Sequence, residues 1–225
     1  MSYGISILNS SGFVQIDPDY SNYAVLVRGT ASGNGYVYID FPAQPKPPLV
    51  FAKFAATDRW LALTQLTNSR ATFFIYPNDG WNTAASGSFS YAICVPFEDI
   101  SLPNDQFGFR VFNQSGGVVF DSGVAMPVIE SVHSLDLYDS RGGKTASVTV
   151  ADYGDARWIL ANDIGSPRGI YNYGVNESYI MGPAFRSPSN SVISVTGSTV
   201  RGIIYIDDPN WEGIDPAQLV VLRSL

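Results

Sequence analysis

The chain holds one histidine and one cysteine, and these bound the chemistry it can perform. His133 lies in Val132-His133-Ser134-Leu135 and Cys94 in Phe89-Ser90-Tyr91-Ala92-Ile93-Cys94-Val95, both with strand character. Far apart in the chain, they spell no metal-ligand cluster, so no metal or other cofactor is expected. His133 reads as a structural histidine held by a neighbour. Cys94 reads as a small buried hydrophobe, because a reactive thiol needs an electropositive setting that this strand lacks. There is no Gly-x-Ser-x-Gly elbow. Gly33-Asn34-Gly35 and Gly142-Gly143-Lys144 lack the strand–loop–helix context of a phosphate cradle and read as hairpin turns. Dispersed carboxylates are the remaining route to catalysis, since β-fold glycosidases use Asp and Glu that spacing does not reveal. The candidate pairs are Asp207-Asp208, Asp17/Asp19 and Asp152/Asp155. Each sits in a turn-forming context, and we read them as Asx residues bonding their own backbone. Calcium at such turns would find no EF-hand pattern. No catalytic residue is expected, and the chain is read as a non-enzyme.

Aromatic residues in turns offer a different chemistry. Trp81 follows Pro77-Asn78-Asp79-Gly80, and Trp211 follows Asp208-Pro209-Asn210. Tyr171, Tyr173 and Tyr179 lie in a Gly-rich stretch with Asn172, Asn176 and Glu177. Rigid apolar area beside hydrogen-bonding groups fits a sugar face or a protein hot spot. Trp81, Tyr171, Tyr173 and Trp211 are therefore the candidate contacts, against the alternative of loop aromatics folded back over the core.

The elements that must position these residues are strands. Residues 3–17, Tyr-Gly-Ile-Ser-Ile-Leu-Asn-Ser-Ser-Gly-Phe-Val-Gln-Ile-Asp, are repeated at 107–121 as Phe-Gly-Phe-Arg-Val-Phe-Asn-Gln-Ser-Gly-Gly-Val-Val-Phe-Asp. Six of the fifteen positions are identical without gaps, where chance gives roughly one. Alternation on both sides of Asn-x-Ser-Gly predicts a hairpin, with Gly at the left-handed position of its loop. A repeat spanning half the chain points to duplication rather than a solenoid. Short alternating segments follow at 23–29, 36–40, 49–52, 60–66, 71–76 and 88–95. They are echoed more loosely at 127–132, 146–151, 157–161 and 201–207, the last answering 89–95, with an added or displaced strand at 191–195 and a terminal strand at 219–222. The fold class expected is all-β, with two tandem antiparallel β-sandwich domains at 1–104 and 105–225. The Pro-rich stretch 42–48 is expected to be an extended surface loop. The segment 163–190, rich in Gly and Pro, is expected to be a long loop.

Charge narrows the partners. A net charge of −7 leaves no basic patch for nucleic acid or an anionic membrane surface. No apolar run is long enough to span a membrane. With one cysteine there is no intrachain disulfide, which fits folding in a reducing cytoplasm. The opening residues, which run straight into strand pattern, give no expectation of a signal peptide.

The two copies of the motif resemble a family of small β-rich proteins of long-tailed bacteriophages, encoded near the central tail-tip and tail-fibre genes. The shared pattern is aromatic-Gly-x-x-apolar-aromatic-Asn/Asp-x-x-Gly-x-x-x-apolar-Asp. It is carried here by Tyr3-Gly4 through Ile16-Asp17, with Leu8 in place of the second aromatic, continuing to Tyr20-Ser21-Asn22-Tyr23, and in full by Phe107-Gly108 through Phe120-Asp121. The resemblance implies a structural role in the virion, at the tail tip or fibre. Its partners would be other tail proteins, a central spike or fibre, with a homotrimer or several copies around a symmetric axis. The chain would be made in the host cytoplasm and would work in the virion tail. The resemblance carries over no catalytic or binding residue. The alternative is a carbohydrate-binding, receptor-binding module for host surface glycans. A glycan depolymerase ranks below both, because the long β-helical repeats of most elongated depolymerases are missing.

Overall fold

Alternating apolar and polar residues, interrupted every few positions by Gly, Pro and Asn, fold among the described residues into strands apart from one short 3-10 turn. The computed structural model describes residues 7–8, 14–16, 22–78, 83–102, 108–135, 138–139, 142–143, 145–152, 154–161, 170–172, 178–201 and 217–224. The chain begins with a hairpin of β1 (Ile7–Leu8) and β2 (Val14–Ile16). Six strands follow: β3 (Tyr23–Asn34), β4 (Tyr36–Asp40), β5 (Leu49–Lys53), β6 (Arg59–Leu66), β7 (Arg70–Pro77) and β8 (Ser86–Pro96). A 3-10 turn at Phe97–Asp99 closes this half. The second half opens with its own hairpin, β9 (Arg110–Phe112) and β10 (Val118–Asp121). It continues through β11 (Val128–Leu135), the small pair β12 (Tyr138–Asp139) and β13 (Gly142–Gly143), then β14 (Thr145–Thr149) and β15 (Trp158–Leu160). It ends with β16 (Ile170–Asn172), β17 (Ser178–Ser189), β18 (Val192–Arg201) and β19 (Ala217–Ser224).

The two halves of the chain enter the sheets in the same strand order. One sheet runs β11-β19-β15-β5-β8-β3 and the other β14-β18-β17-β6-β7-β4, with β16 added beside β17. Each order reads alike from its two ends. Leaving the opening hairpins aside, the first and last strands of either half lie in the first sheet, an edge strand and its inner neighbour. Three strands per half fill each sheet, and every pairing along these two orders is antiparallel. The seam repeats the symmetry. Ile159 sits opposite Ala52 and Leu160 opposite Phe51, so exchanging the equivalent strands β5 and β15 returns the same register. In the other sheet Phe185 sits opposite Leu61.

The residues on either side of 104 each contribute three strands, β16 aside, to each of the two sheets. The sheets are continuous across the seam, and one core contains Val37, Phe73 and Ile93 from the first half with Ile159, Phe185 and Val221 from the second. Packing the two inner sheet faces edge to edge in this way pairs the β5 and β6 edges that two isolated sandwiches would leave open. A second apolar cluster lies on the other face of the first sheet, where Phe51, Ala92, Cys94, Leu160 and Leu222 are buried. Cys94 is a packing residue there, and burial pushes its thiol up to about 12, far from the thiolate range.

Two local expectations change. The long loop expected at 163–190 contains β16 and β17, and β17 is a central strand joining the halves. Its Pro188 falls where the β17–β18 register shifts between Arg186 and Ser189, so the missing N–H breaks no regular ladder bond there. The turn expected at residues 32–35 is confined to Gly35. Strand β3 runs to Asn34, and Gly35 at φ +75° turns the chain directly into the opposite sheet. A Cβ at this position would lie 2.8 Å from that of Ala84. The stretch 42–48 is irregular and largely exposed, as Pro-rich sequence demands. It is pinned by the Gln44 N–H donating to the Asn68 carbonyl at 2.8 Å.

Candidate binding surface

Among the described residues, exposed large aromatic rings occur in two places, and the repeated hairpin, through its second copy, is one of them. Its second copy explains the residues that recur. Asn113 Oδ1 accepts from the Ser115 amide at 3.1 Å, the Ser115 hydroxyl at 2.8 Å and the Gly117 amide at 2.7 Å. This Asx arrangement folds the loop, and Gly116 at φ +84° completes it in the left-handed region. Asp121 closes the copy. Its carboxylate accepts from the Gly123 amide at 2.8 Å and from Arg110 Nε. In the first copy, Ile7 pairs with Ile16 and Leu8 with Val14. In the second, the equivalent residues pair identically, Val111 with Phe120 and Phe112 with Val118, with the same one-residue shift between the two pairs. The two hairpins are thus copies in register as well as in sequence.

The second hairpin lies outside both sheets and is tied to the first half. Asn22 Nδ2 donates to the Val119 carbonyl at 2.8 Å, and the Val25 amide of edge strand β3 donates to the Ala125 carbonyl at 2.9 Å. Val111 and Val119 are buried in a small core of their own, while Phe109 and Phe112 remain 48% and 55% exposed.

The Gly123 amide and the Arg110 guanidinium together hold the Asp121 carboxyl below its usual pKa. A depressed folded pKa stabilises the hairpin above the ordinary carboxylate range, and that contribution disappears as pH falls through the folded value. Wild-type amide resonances of residues 108–124 are therefore expected to stay unchanged from neutrality to about pH 4 and to shift below it. In Asp121→Asn the Gly123 resonance is expected to differ already at pH 7 and to lose the acid transition. An NMR titration checks both.

The second feature is an aromatic row on the outer face of the second sheet. In β4, Val37 and Ile39 point into the core, so Tyr36, Tyr38 and Asp40 point out. Across the ladder they meet Phe74, Thr72 and Arg70 of β7. Tyr36 and Tyr38 are 55% and 60% exposed, and their rings lie 6.3 Å apart at 13° to one another. Phe74 meets Tyr36 edge-on at 4.6 Å and packs on Tyr76 at 4.4 Å. Further from the edge the row sinks below the surface. Tyr76 and Trp60 are buried, and the Arg186 guanidinium lies 4.1 Å from the Trp60 ring centre. Asn78 Oδ1 accepts from both Trp60 Nε1, at 3.0 Å, and Arg186 Nη1, at 2.9 Å. At the exposed end, Arg70 grips Asp40 with Nε at 2.6 Å and Nη2 at 3.2 Å, and its guanidinium lies 5.5 Å from the Tyr38 ring centre. Arg70 holds the Asp40 carboxyl below its usual pKa, so the pair is ionised at neutral pH.

The residues singled out in the sequence fare unequally. Trp81, Tyr173 and Trp211 lie outside the described residues, as do Asp17, Asp19, Asp207 and Asp208. Tyr171 lies in β16 directly opposite Tyr179 in β17. Asp152 and Asp155 act as turn residues: Asp152 Oδ1 accepts from the Gly154 amide and Asp155 Oδ1 from the Ala156 amide, both at 2.8 Å. Asp155 also binds Lys53 Nζ at 2.5 Å, which links the halves beside the β5–β15 seam. His133 shares a 2.8 Å hydrogen bond with the Ser131 hydroxyl. A cleft of about 380 Å³ opens among Phe54, Asp58, Arg59, Gly87, Ser187 and Asn190, where Asp58 faces Arg59 at 3.5 Å rather than a second carboxylate. Tyr36 and Tyr38 were missed as site residues because they stand on a regular strand, where an aromatic side chain is ordinary, whereas the aromatics singled out lie in turn sequence. No family model, no curated protein and no solved structure matches this chain.

Proposed function

We propose that the chain is a non-enzymatic structural protein of the distal tail of a long-tailed bacteriophage, assembling in several copies with a central spike or fibre. The observation that supports this most is the pair of hairpins at 3–17 and 107–121. These residues carry the resemblance to tail-tip and tail-fibre proteins, and both copies hold the same register outside the two sheets. The exposed Phe109 and Phe112 give the second copy an apolar patch of the kind assembly covers. Location in the virion tail and synthesis in the host cytoplasm belong to the same proposal. Mass spectrometry of purified particles produced from the parent genome is expected to find the chain among the virion proteins. Its absence from particles would overturn the reading.

A second reading, recognition of host surface glycans, is favoured by one observation. The near-parallel, exposed rings of Tyr36 and Tyr38 stand beside the charged pair Asp40–Arg70.

A further inference from the structure

We propose that the outer face of β4 is a platform for a neutral pyranose sugar, with Tyr36 and Tyr38 as stacking rings and Asp40 and Arg70 as the hydroxyl-binding group. This rests on the glycan reading, not on the tail reading. The internal duplication supplies the comparison that singles the site out. Strand β14 occupies the equivalent edge in the other half of the same sheet, and its outward positions are Thr145, Ser147 and Thr149. The fold is therefore satisfied by small hydroxyl side chains at this edge. The exposed tyrosines of β4 answer to something outside the sandwich.

The geometry matches the two faces of a sugar. The C–H groups of a pyranose form a flat apolar surface that lies against an aromatic ring, and its hydroxyls radiate in the ring plane. Tyr36 and Tyr38 present two such rings with planes only 13° apart. Phe74 meets Tyr36 edge-on and the Arg70 guanidinium lies over the Tyr38 ring, so each ring is braced by one neighbour before a ligand arrives. Asp40 offers acceptors and Arg70 donors within one planar pair, the combination that adjacent hydroxyls need. The charge of this pair sums to zero, and the chain as a whole carries −7. An acidic polysaccharide would meet repulsion without a compensating cation, so the ligand is an uncharged glycan. A peptide strand added to the β4 edge would instead use backbone groups and depend little on the tyrosine rings.

The test uses the full chain on an array of neutral oligosaccharides covering hexoses, N-acetylhexosamines and 6-deoxyhexoses, with polygalacturonate as an anionic comparison. Titration calorimetry on the best binder follows. At least one neutral glycan is expected to bind. Tyr38→Ala is expected to weaken it by at least about tenfold, because a truncated central ring is a typical hot-spot loss. Tyr38→Phe is expected to retain binding within a few-fold, and Ser147→Ala on the equivalent edge to leave it unchanged. All these positions are on the surface, so the variants fold. Binding of a neutral glycan that survives the Tyr36→Ala/Tyr38→Ala double substitution would overturn the site. Binding of polygalacturonate alone would overturn the ligand class while leaving a glycan role standing. Silence across every sugar would remove both, and would leave the presence of the chain in the virion as a separate question.

Discussion

Phe185→Ala is expected to destabilise both halves of the molecule together, by about 3–5 kcal/mol. Phe185 is fully buried and lies at the seam, opposite Leu61 of the first half and Val195 of its own half. Truncation removes a large apolar side chain and leaves a cavity between sheets that are held on both sides, so the surroundings collapse only in part. That loss is a large share of the stability of an ordinary domain. Because the core is common to both halves, the damage cannot stay local. Trp60 in the first half and Trp158 in the second give separate fluorescence probes once each is isolated by replacing the other tryptophans. Their urea midpoints are expected to coincide in the wild type and to fall together in Phe185→Ala. A midpoint that drops for Trp158 alone would mean that the halves unfold as independent domains.

Arg157→Ala is expected to cost about 3–5 kcal/mol through a different mechanism. Arg157 is 3% exposed and lies 3.0 Å from the Glu130 carboxylate of edge strand β11. Its guanidinium also donates to the carbonyls of Ala151 and Asp155. Truncation strands a carboxylate that is only 16% exposed, and removes the donors that two carbonyls use. Replacing both charges, as in Glu130→Leu/Arg157→Met, is expected to recover most of the loss, since no buried charge is then left alone. Arg157→Lys is expected to recover little, because an ammonium cannot reproduce the guanidinium fork. Chemical denaturation of the three variants checks the order. A double variant no more stable than Arg157→Ala would show that the pair acts through packing rather than charge.

The sequence exposed much of this fold because its strands alternate cleanly. Tyr36-Val37-Tyr38-Ile39-Asp40 is a strand of the expected bounds, with Val37 and Ile39 buried as period two requires. The duplicated hairpin was legible for the same reason, and also because Asn and Gly in the turn have one physical job each. What the sequence hid was non-local. Nothing in Leu49–Lys53 or Trp158–Leu160 says that these equivalent strands pair with each other instead of closing two separate sandwiches. Their apolar runs mark central strands but do not name a neighbour. β17 was hidden by its own composition, since Gly182, Pro183 and Pro188 are loop residues by local rule. The available signal was indirect: the Val192–Thr196 alternation needs an antiparallel partner, and Tyr179-Ile180-Met181 is the apolar run just before it. At the candidate site the sequence was least informative. It drew attention to aromatics in turns, whereas the exposed Tyr36 and Tyr38 stand on a regular strand beside Asp40 and Arg70.

The divergence of the two halves bears on function. The edge of one half carries tyrosines and that of the other hydroxyls, while the hairpins share six of fifteen residues and the same register. In the proposed reading the repeated part anchors the chain and the unique part faces outward.

The central claim is that this chain works in the distal tail of a virion, and immunogold labelling of intact particles tests it most directly. Antibody raised against the purified chain is expected to decorate the end of the tail remote from the head, at several sites per particle. Label on the head, or particles that carry none, would contradict it.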